Sequence, residues 1–159
     1  MTEIWGVLEA GTVTFTRRYA TAAADLWDAL TDPDRVGRWL GTVHGDLRAG
    51  GHYALAMGAD ESQTATGEIL DCDRAAGRLS LAWRFPGEDV SRVDVEVRAD
   101  GDAALLVLVH SELTAEGVRG YGAGWHATLD QLEDHLAGRP VRAWDDAFEV
   151  ALPHYRAQA

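Results

Sequence analysis

Residues 118–138, VRGYGAGWHATLDQLEDHLAG, hold the pattern from which the fold of this chain is most readily inferred. Apolar residues recur there every three or four positions, which is the spacing of one face of an α-helix. That face comprises Val118, Tyr121, Trp125, Leu129, Leu132 and Leu136. We expect Asp130, Glu133 and Asp134 to form the opposite, solvated face. The sequence therefore predicts a long, one-sided helix whose apolar face the rest of the chain must cover.

Three glycines interrupt the first turns of this helix, namely Gly120, Gly122 and Gly124. Each glycine costs a helix about 1 kcal/mol relative to alanine. We therefore expect the helix to need space there, either for a closely packed strand or for a ligand beside Tyr121 and Trp125.

Length and charge limit the classes of protein to consider. The chain has 159 residues, which predicts a single domain over residues 1–159. Its composition, 47% hydrophobic and 25% charged, is typical of globular proteins. The net charge of −12, with arginine as the only basic residue apart from histidine, argues against binding to nucleic acid or to an anionic membrane.

The location of the protein is predicted from three features. Cys72 is the only cysteine, so we expect no internal disulfide, which suits a reducing compartment. The first residues, MTEIWGVLEAG, do not resemble a signal peptide. No segment approaches the roughly 20 apolar residues of a membrane span. These features predict a cytoplasmic protein.

The chain before the long helix divides into one strand, two short helices and a series of further strands. Residues 12–19, TVTFTRRY, alternate in polarity and predict a strand. Residues 22–32 predict a short helix, and Asp32 followed by Pro33 predicts the capped start of a second one, which ends at Trp39 or Leu40.

From residue 42 to residue 111, alternating segments are separated by turn signals such as Pro86-Gly87 and Asp100-Gly101. They predict five or six antiparallel strands, and Gly67 within one of them suggests a bulge or a close approach. The whole is an α+β fold with an antiparallel sheet of about six to seven strands. After Pro140 we expect the tail, residues 139–159, to dock on the body.

Five segments resemble those of a known superfamily, in its order. They are LWDALTDPDRVGRWL (26–40), DLRAGGHY (46–53), TGEILDCDRAAGRLSLAW (66–83), LVLVHSEL (106–113) and GWHATLDQLEDHL (124–136). Together they resemble the START-like (SRPBCC, helix-grip) superfamily, and within it the bacterial proteins grouped as activator-of-Hsp90-ATPase-homologue-like. The resemblance covers about residues 12–138. One departure is Ala22, where the family commonly has proline.

The resemblance implies a helix-grip fold, in which a curved antiparallel sheet wraps around a long C-terminal helix and leaves an apolar cavity beneath it. Members of the superfamily include lipid and hormone binders as well as polyketide cyclases and aromatases, so the fold alone does not decide the function.

Strand parity and helix spacing place a set of residues on the inner face of the predicted fold, where they would line such a cavity. The set comprises Trp39, Tyr53, Leu55, Met57, Leu81, Trp83, Val95, Leu108, Tyr121, Trp125 and Leu129. The alternative is that these side chains only fill the core, which large rings do well.

Two polar residues share the inward parity. His110 could orient a ligand or act as a general base, and it is the candidate catalytic residue. The alternative is a buried histidine bonded to the backbone or to another side chain. Arg17 could meet a ligand carboxylate, or it could pair with an acidic neighbour.

Motifs for metals and cofactors are missing from the sequence. His126 and Asp130 are four residues apart, but no further ligands accompany them, so a solvated polar face is the expected arrangement. No nucleophile elbow, phosphate loop, dinucleotide fingerprint or zinc-protease motif occurs. We therefore expect neither a metal nor a cofactor.

Three functions remain open. The first is the binding of a small hydrophobic molecule between sheet and helix. The second is a cofactor-independent enzyme of the cyclase or aromatase type that uses the same cavity. The third, suggested only by the name of the resembled group, is a co-chaperone-like interaction with a protein. A homodimer is left open.

Overall fold

The computed structural model describes residues 4–58 and 61–158. The elements in chain order are β1 (Val7–Glu9), β2 (Thr12–Tyr19), α1 (Ala23–Thr31), α2 (Pro33–Trp39), β3 (Thr42–Gly45), β4 (His52–Ala56), a 3-10 turn (Glu61–Gln63), β5 (Thr64–Asp73), β6 (Arg78–Trp83), β7 (Ser91–Asp100), β8 (Ala103–Ser111), α3 (Gly117–Leu136) and α4 (Trp144–Ala157). The predicted order of strand, two short helices, strand series and long helix is confirmed.

Within these described ranges, eight strands form one sheet in the order β1-β2-β8-β7-β6-β5-β4-β3. Every neighbouring pair is antiparallel. The α+β helix-grip fold predicted from the sequence is thus confirmed, with one strand more than the six to seven expected. The additional strand is β1, which is only three residues long and is joined to β2 by a tight turn in which Gly11 has a φ of +68°.

The two short helices begin as their sequence predicts. The side chain of Asp32 accepts a hydrogen bond of 3.1 Å from the backbone N–H of Asp34, and Pro33 occupies the first turn of α2. This arrangement satisfies a backbone donor that a helix start otherwise leaves unpaired. Helices α1 and α2 both contact the sheet and α3.

Gly67 in β5 is a position of close approach, one of the two alternatives that its sequence context suggests. A Cβ atom there would lie 1.9 Å from the carbonyl oxygen of Ala82 on β6. A register shift follows between Ile69 and Asp71. Such irregularities bend a strand and increase its local twist.

The core lies between the concave face of the sheet and α3. Phe15 and Leu106 of the sheet and Leu129 and Leu132 of α3 are at most 1% exposed. These helix residues belong to the apolar stripe from which α3 was predicted, so the stripe has the expected role of filling the core.

The predicted polar face of α3 is wrong in part. Asp134 is 4% exposed and His126 is 5% exposed, because α4 and the segment before it cover that side of the helix. Arg139 and Arg142 both donate hydrogen bonds to the Asp134 carboxylate, and the bond from Arg142 holds the pKa of Asp134 well below its usual range. His126 Nδ1 lies 2.9 Å from the hydroxyl oxygen of Tyr155 in α4.

Candidate functional site

A cleft of about 590 Å³ lies at the glycine-rich end of α3. Its walls are the first half of α3, the end of β6 with the loop that follows, and the start of α4. The lining residues are Leu40, Met57, Gln63, Trp83, Phe85, Glu88, Gly117, Gly120, Tyr121, Gly124, Trp125, Thr128, Gln131, Ala143, Trp144 and Asp145. The volume falls within the range of about 300–1,000 Å³ that is usual for small-molecule sites.

The glycines of α3 have two different roles. A Cβ atom at Gly120 would meet nothing within 4 Å, and one at Gly124 would only touch Trp144 at 3.5 Å. Both positions line the cleft, so the missing side chains leave it open. Gly122 points elsewhere, and a Cβ there would lie 2.7 Å from the ring of Tyr155. That glycine permits α4 to approach α3.

Aromatic rings are concentrated on one side of the cleft. The ring centroids of Trp83 and Trp125 are 5.5 Å apart, and those of Tyr121 and His110 are 4.4 Å apart in an edge-to-face arrangement. Such clusters are rigid and offer large apolar faces. Trp83, Tyr121 and Trp125 belong to the lining of the cleft.

His110 lies immediately behind this aromatic wall and is completely buried. Nε1 of Trp125 donates a hydrogen bond to its Nδ1, at 2.9 Å, and its Nε2 lies 2.7 Å from Oγ of Ser91. Since an indole N–H can only donate, Nδ1 must be the unprotonated nitrogen. Nε2 therefore carries the proton and donates a hydrogen bond to Oγ of Ser91. The Ser91 hydroxyl in turn lies 3.4 Å from the carbonyl oxygen of Trp83.

Burial lowers the pKa of His110 to about 4, so the imidazole is neutral at pH 7. Its two nitrogens are engaged, and it is not among the residues that line the cleft. In this structure His110 orients Trp125 and is separated from the cleft by the aromatic wall.

Tyr121 is the centre of the polar groups that do reach the cleft. Its hydroxyl accepts a hydrogen bond of 3.0 Å from Nε1 of Trp83 and donates one to the carboxylate of Glu88. Burial, and then the bond to Glu88, raise the pKa of the Tyr121 phenol above its usual value. The pair places a phenol and an exposed carboxylate side by side in the wall.

The start of α4 closes the cleft on its other side. The ring of Trp144 stacks on Phe148, with centroids 4.7 Å apart, and its Nε1 donates to Oγ1 of Thr128 at 3.1 Å. The side chain of Gln131 donates to the backbone carbonyl of Arg142. These bonds fix the segment from which Asp145 reaches the lining.

Four of the thirteen candidate residues named from the sequence line the cleft: Met57, Trp83, Tyr121 and Trp125. The others lie outside its lining, in or beside the core: Trp39, Tyr53, Leu55, Leu81, Val95, Leu108, His110, Leu129 and Arg17. The polar atoms of two aromatic residues among them form hydrogen bonds with the backbone: Trp39 donates to the carbonyl oxygen of Ala29, and Tyr53 donates to that of Ala82.

Arg17 is 2% exposed. Of the two roles suggested by its sequence position, it has the second: it pairs with an acidic neighbour and does not face a ligand site. Its Nη1 donates to the Asp130 carboxylate at 2.8 Å, and its Nε donates to the carbonyl oxygen of Ile4. Among the described residues, Nη2 has no hydrogen-bond partner. The guanidinium therefore serves the contact between β2 and α3.

Several lining residues were not foreseen. Thr128 and Gln131 continue the three-and-four spacing of Gly120, Tyr121, Gly124 and Trp125, so extending that spacing to small and polar residues would have found them. Phe85 and Glu88 surround the Pro86-Gly87 turn, and no local pattern marks them. Trp144 and Asp145 belong to a helix whose docking position is not encoded locally.

The described ranges contain no group of three or more His, Cys, Asp or Glu side chains that could hold a metal ion. None of the helices in those ranges is both long enough and apolar enough to cross a membrane.

Comparisons with known proteins agree with this architecture. The crystal structure of CalU16 from Micromonospora echinospora has a TM-score of 0.79 and 30% sequence identity, with coverage of 92% of this chain and 86% of that one. The structure of the protein encoded by gene BPP1335 from Bordetella parapertussis has a TM-score of 0.77 and 26% sequence identity, with coverage of 96% of this chain and 88% of that one.

DynU16, from the dynemicin biosynthetic locus, shares the fold with a TM-score of 0.74 at 23% identity, over 85% of this chain and 51% of that one. A search of the curated proteins found no match. Residues 20–137 match the family of Activator of Hsp90 ATPase homolog 1-like proteins. The chain therefore belongs to that family, within the START-like superfamily that its sequence resembles.

Proposed function

We propose that this protein binds a small hydrophobic or aromatic molecule in the cleft between the first half of α3, the end of β6 and the start of α4. The observation that carries the proposal is the cleft itself, about 590 Å³ with a lining rich in tryptophan. Gly120 and Gly124 support it, because they keep the cleft open at a cost to the helix.

Affinity would come from burying the ligand against the apolar side chains that line the cleft. Burial of apolar surface contributes about 25 cal/mol per Å² before the costs of ordering are subtracted. The wall is held by hydrogen bonds from Trp125 to His110 and from Trp144 to Thr128, so little ordering of side chains is required on binding.

The test is a variant that fills the cleft without harming the fold. Gly120→Leu adds a side chain where a Cβ meets open space, and leucine favours the helix. Gly37→Leu is the matched control, because Gly37 is also helical with open space around it but is not in the lining. Binding of naphthalene-type and fatty probes is followed by tryptophan fluorescence and thermal shift.

We expect the unaltered protein and Gly37→Leu to bind a probe, and Gly120→Leu to lose at least tenfold in affinity while its melting temperature is maintained. Equal binding by all three proteins would move the site away from this cleft. Failure of every probe class to bind the unaltered protein would refute the proposal.

A second candidate function is a cofactor-independent enzyme of the cyclase or aromatase type. The observation that favours it is the hydrogen-bonded pair of Tyr121 and Glu88 in the cleft wall. A phenol and a carboxylate in contact can exchange a proton with a bound substrate, a contribution worth about 10²–10⁴ in rate.

This candidate is tested with linear polyketone thioesters and product analysis. Tyr121→Phe should reduce turnover by about a hundredfold and leave probe binding intact. Tyr53→Phe is the control, because that phenol bonds to the backbone of Ala82 and does not line the cleft. Unchanged turnover in Tyr121→Phe would exclude the pair as proton-transfer groups.

A further inference from the structure

We infer that the cleft selects ligands that carry a protonated amine next to an apolar or aromatic body, and that Glu88 receives the amine. The inference rests on the proposed binding function and concerns the chemical class of the ligand. It follows from the charges in the lining and from the position of one carboxylate beside the aromatic wall.

The charged groups of the lining are all acidic. Glu88 and Asp145 are the ionisable carboxylates there, and no arginine is among the described lining residues. The chain has no lysine, and its net charge is −12. An anionic ligand would therefore enter a site with no opposite charge and two like charges, whereas a cation would be attracted at all distances within the screening length.

In the part of the chain that the structure describes, Arg17 is the one buried arginine, and it is already neutralised by Asp130. Arg142 is exposed and is paired with Asp134. Neither guanidinium lines the cleft. A ligand carboxylate thus has no available buried cation to meet, which separates this site from one that recognises fatty acids by an ion pair.

Glu88 has the geometry of an amine acceptor. Its Oε1 accepts the hydrogen bond from Tyr121, which holds the carboxylate against the wall. Among the described residues, its Oε2 has no hydrogen-bond or ion-pair partner, and the side chain is solvent-accessible. An ammonium group bound to that carboxylate would lie close to the Tyr121 hydroxyl, to which Nε1 of Trp83 also donates.

The neighbouring rings favour the same charge. The faces of tryptophan and tyrosine attract cations, and they do so more strongly when the pair is desolvated. Trp83 and Trp125, 5.5 Å apart, lie on the same side of the cleft as Tyr121. A carboxylate combined with aromatic faces recognises an amine, and the apolar remainder of the cleft accommodates the body of the ligand.

The experiment uses three probes that share one aromatic body: naphthylethylamine, naphthylethanol and naphthylpropionate. They are cationic, neutral and anionic at pH 7. Their dissociation constants are measured by calorimetry at low and at physiological ionic strength. The variants are Glu88→Gln, which keeps the acceptor for Tyr121 and removes the charge, and Asp102→Asn, which makes the same change of charge in the exposed β7–β8 turn.

We expect the amine to bind about fivefold more tightly than the alcohol, and the propionate to bind most weakly. Glu88→Gln should remove most of the difference between the amine and the alcohol and leave the alcohol unchanged, whereas Asp102→Asn should alter neither. Higher salt should reduce the preference.

The failures of the two proposals are distinguishable. Equal binding of the three probes, or tightest binding of the propionate, overturns the amine preference and leaves a general apolar site. An equal loss in Glu88→Gln and Asp102→Asn would assign the preference to net charge and overturn the role of Glu88. If none of the probes binds, the proposed binding function fails, and the amine preference fails with it.

Discussion

The indole Nε1 of Trp125 donates a hydrogen bond of 2.9 Å to Nδ1 of His110, and this bond connects the cleft wall to the innermost layer of the sheet. Trp125 faces the cleft, while His110 is fully buried on β8. A substitution of either residue should therefore alter both the cleft lining and the packing of the core behind it.

The tautomer of His110 is the first prediction. Because Nδ1 accepts from an indole, ¹⁵N chemical shifts should show a proton on Nε2 at pH 7. Trp125→Phe leaves that buried acceptor without a donor and should destabilise the protein by about 1–3 kcal/mol. Detection of the Nδ1–H tautomer in the unaltered protein would contradict the hydrogen-bond assignment.

Acid sensitivity is the second prediction. Burial lowers the pKa of His110 from 6.5 to about 4, and burial followed by the nearby Arg17 does the same for His126. Between these pH values the unfolded chain binds more protons than the folded one, so stability is complete above pH 6.5 and falls as the pH falls towards 4. His110 alone should cost about 2 kcal/mol between pH 7 and pH 5, and His126 adds to that loss.

Urea unfolding at pH 7, 6 and 5 measures this slope. His110→Gln retains an acceptor and a donor in place of the imidazole, and it should remove the part of the loss that His110 contributes. The same slope in the variant would show that His110 does not resist protonation in the folded state.

The third prediction compares two glycines that are two residues apart. Gly122→Ala places a Cβ 2.7 Å from the ring of Tyr155 and 3.0 Å from Leu8, and should destabilise the protein by about 1–2 kcal/mol. Gly120→Ala enters open space and should stabilise α3 by up to about 1 kcal/mol. Chemical denaturation of both variants checks the opposite signs, and a stable Gly122→Ala would mean that α4 is not closely packed there.

The buried ion pair supplies the fourth prediction. Asp130→Asn leaves the guanidinium of Arg17 without its counter-charge in the interior, which should cost about 3 kcal/mol in unfolding free energy. The control is Asp46→Asn, because Asp46 and its partner Arg48 are both exposed and their pair contributes little. Similar effects of the two substitutions would indicate that water solvates Arg17.

Sequence reasoning reached the fold because the information needed was local. Alternation in β7 and β8, the Asp32 cap and the stripe of α3 each depend on residues a few positions apart. It failed for Asp134 and His126, which are charged or polar on the side of α3 opposite to its apolar stripe and yet buried, because their burial depends on where α4 docks. The sequence pattern of α3 alone does not determine where another helix packs against it.

The contrast between local pattern and distant packing also explains which residues of the candidate site were predicted. Trp83, Tyr121 and Trp125 were named because inward parity can be read from a strand or a helix. Parity does not distinguish the wall of a cleft from solid core, so Tyr53 and Leu108 were named with them. Glu88 was missed because it follows a Pro-Gly turn, where a loop and not a repeating pattern determines the direction of the side chain.

The strand order has a consequence for how the chain is made. β2 is the second strand to leave the ribosome, yet its central partner, β8, is the last. Until about residue 111 has emerged, the nascent chain holds β2 with only the three-residue β1 beside it, and α3 follows later still. The sheet can therefore be completed only after β8 has been synthesised, and during that long interval the unpaired edge of β2 is open to aggregation.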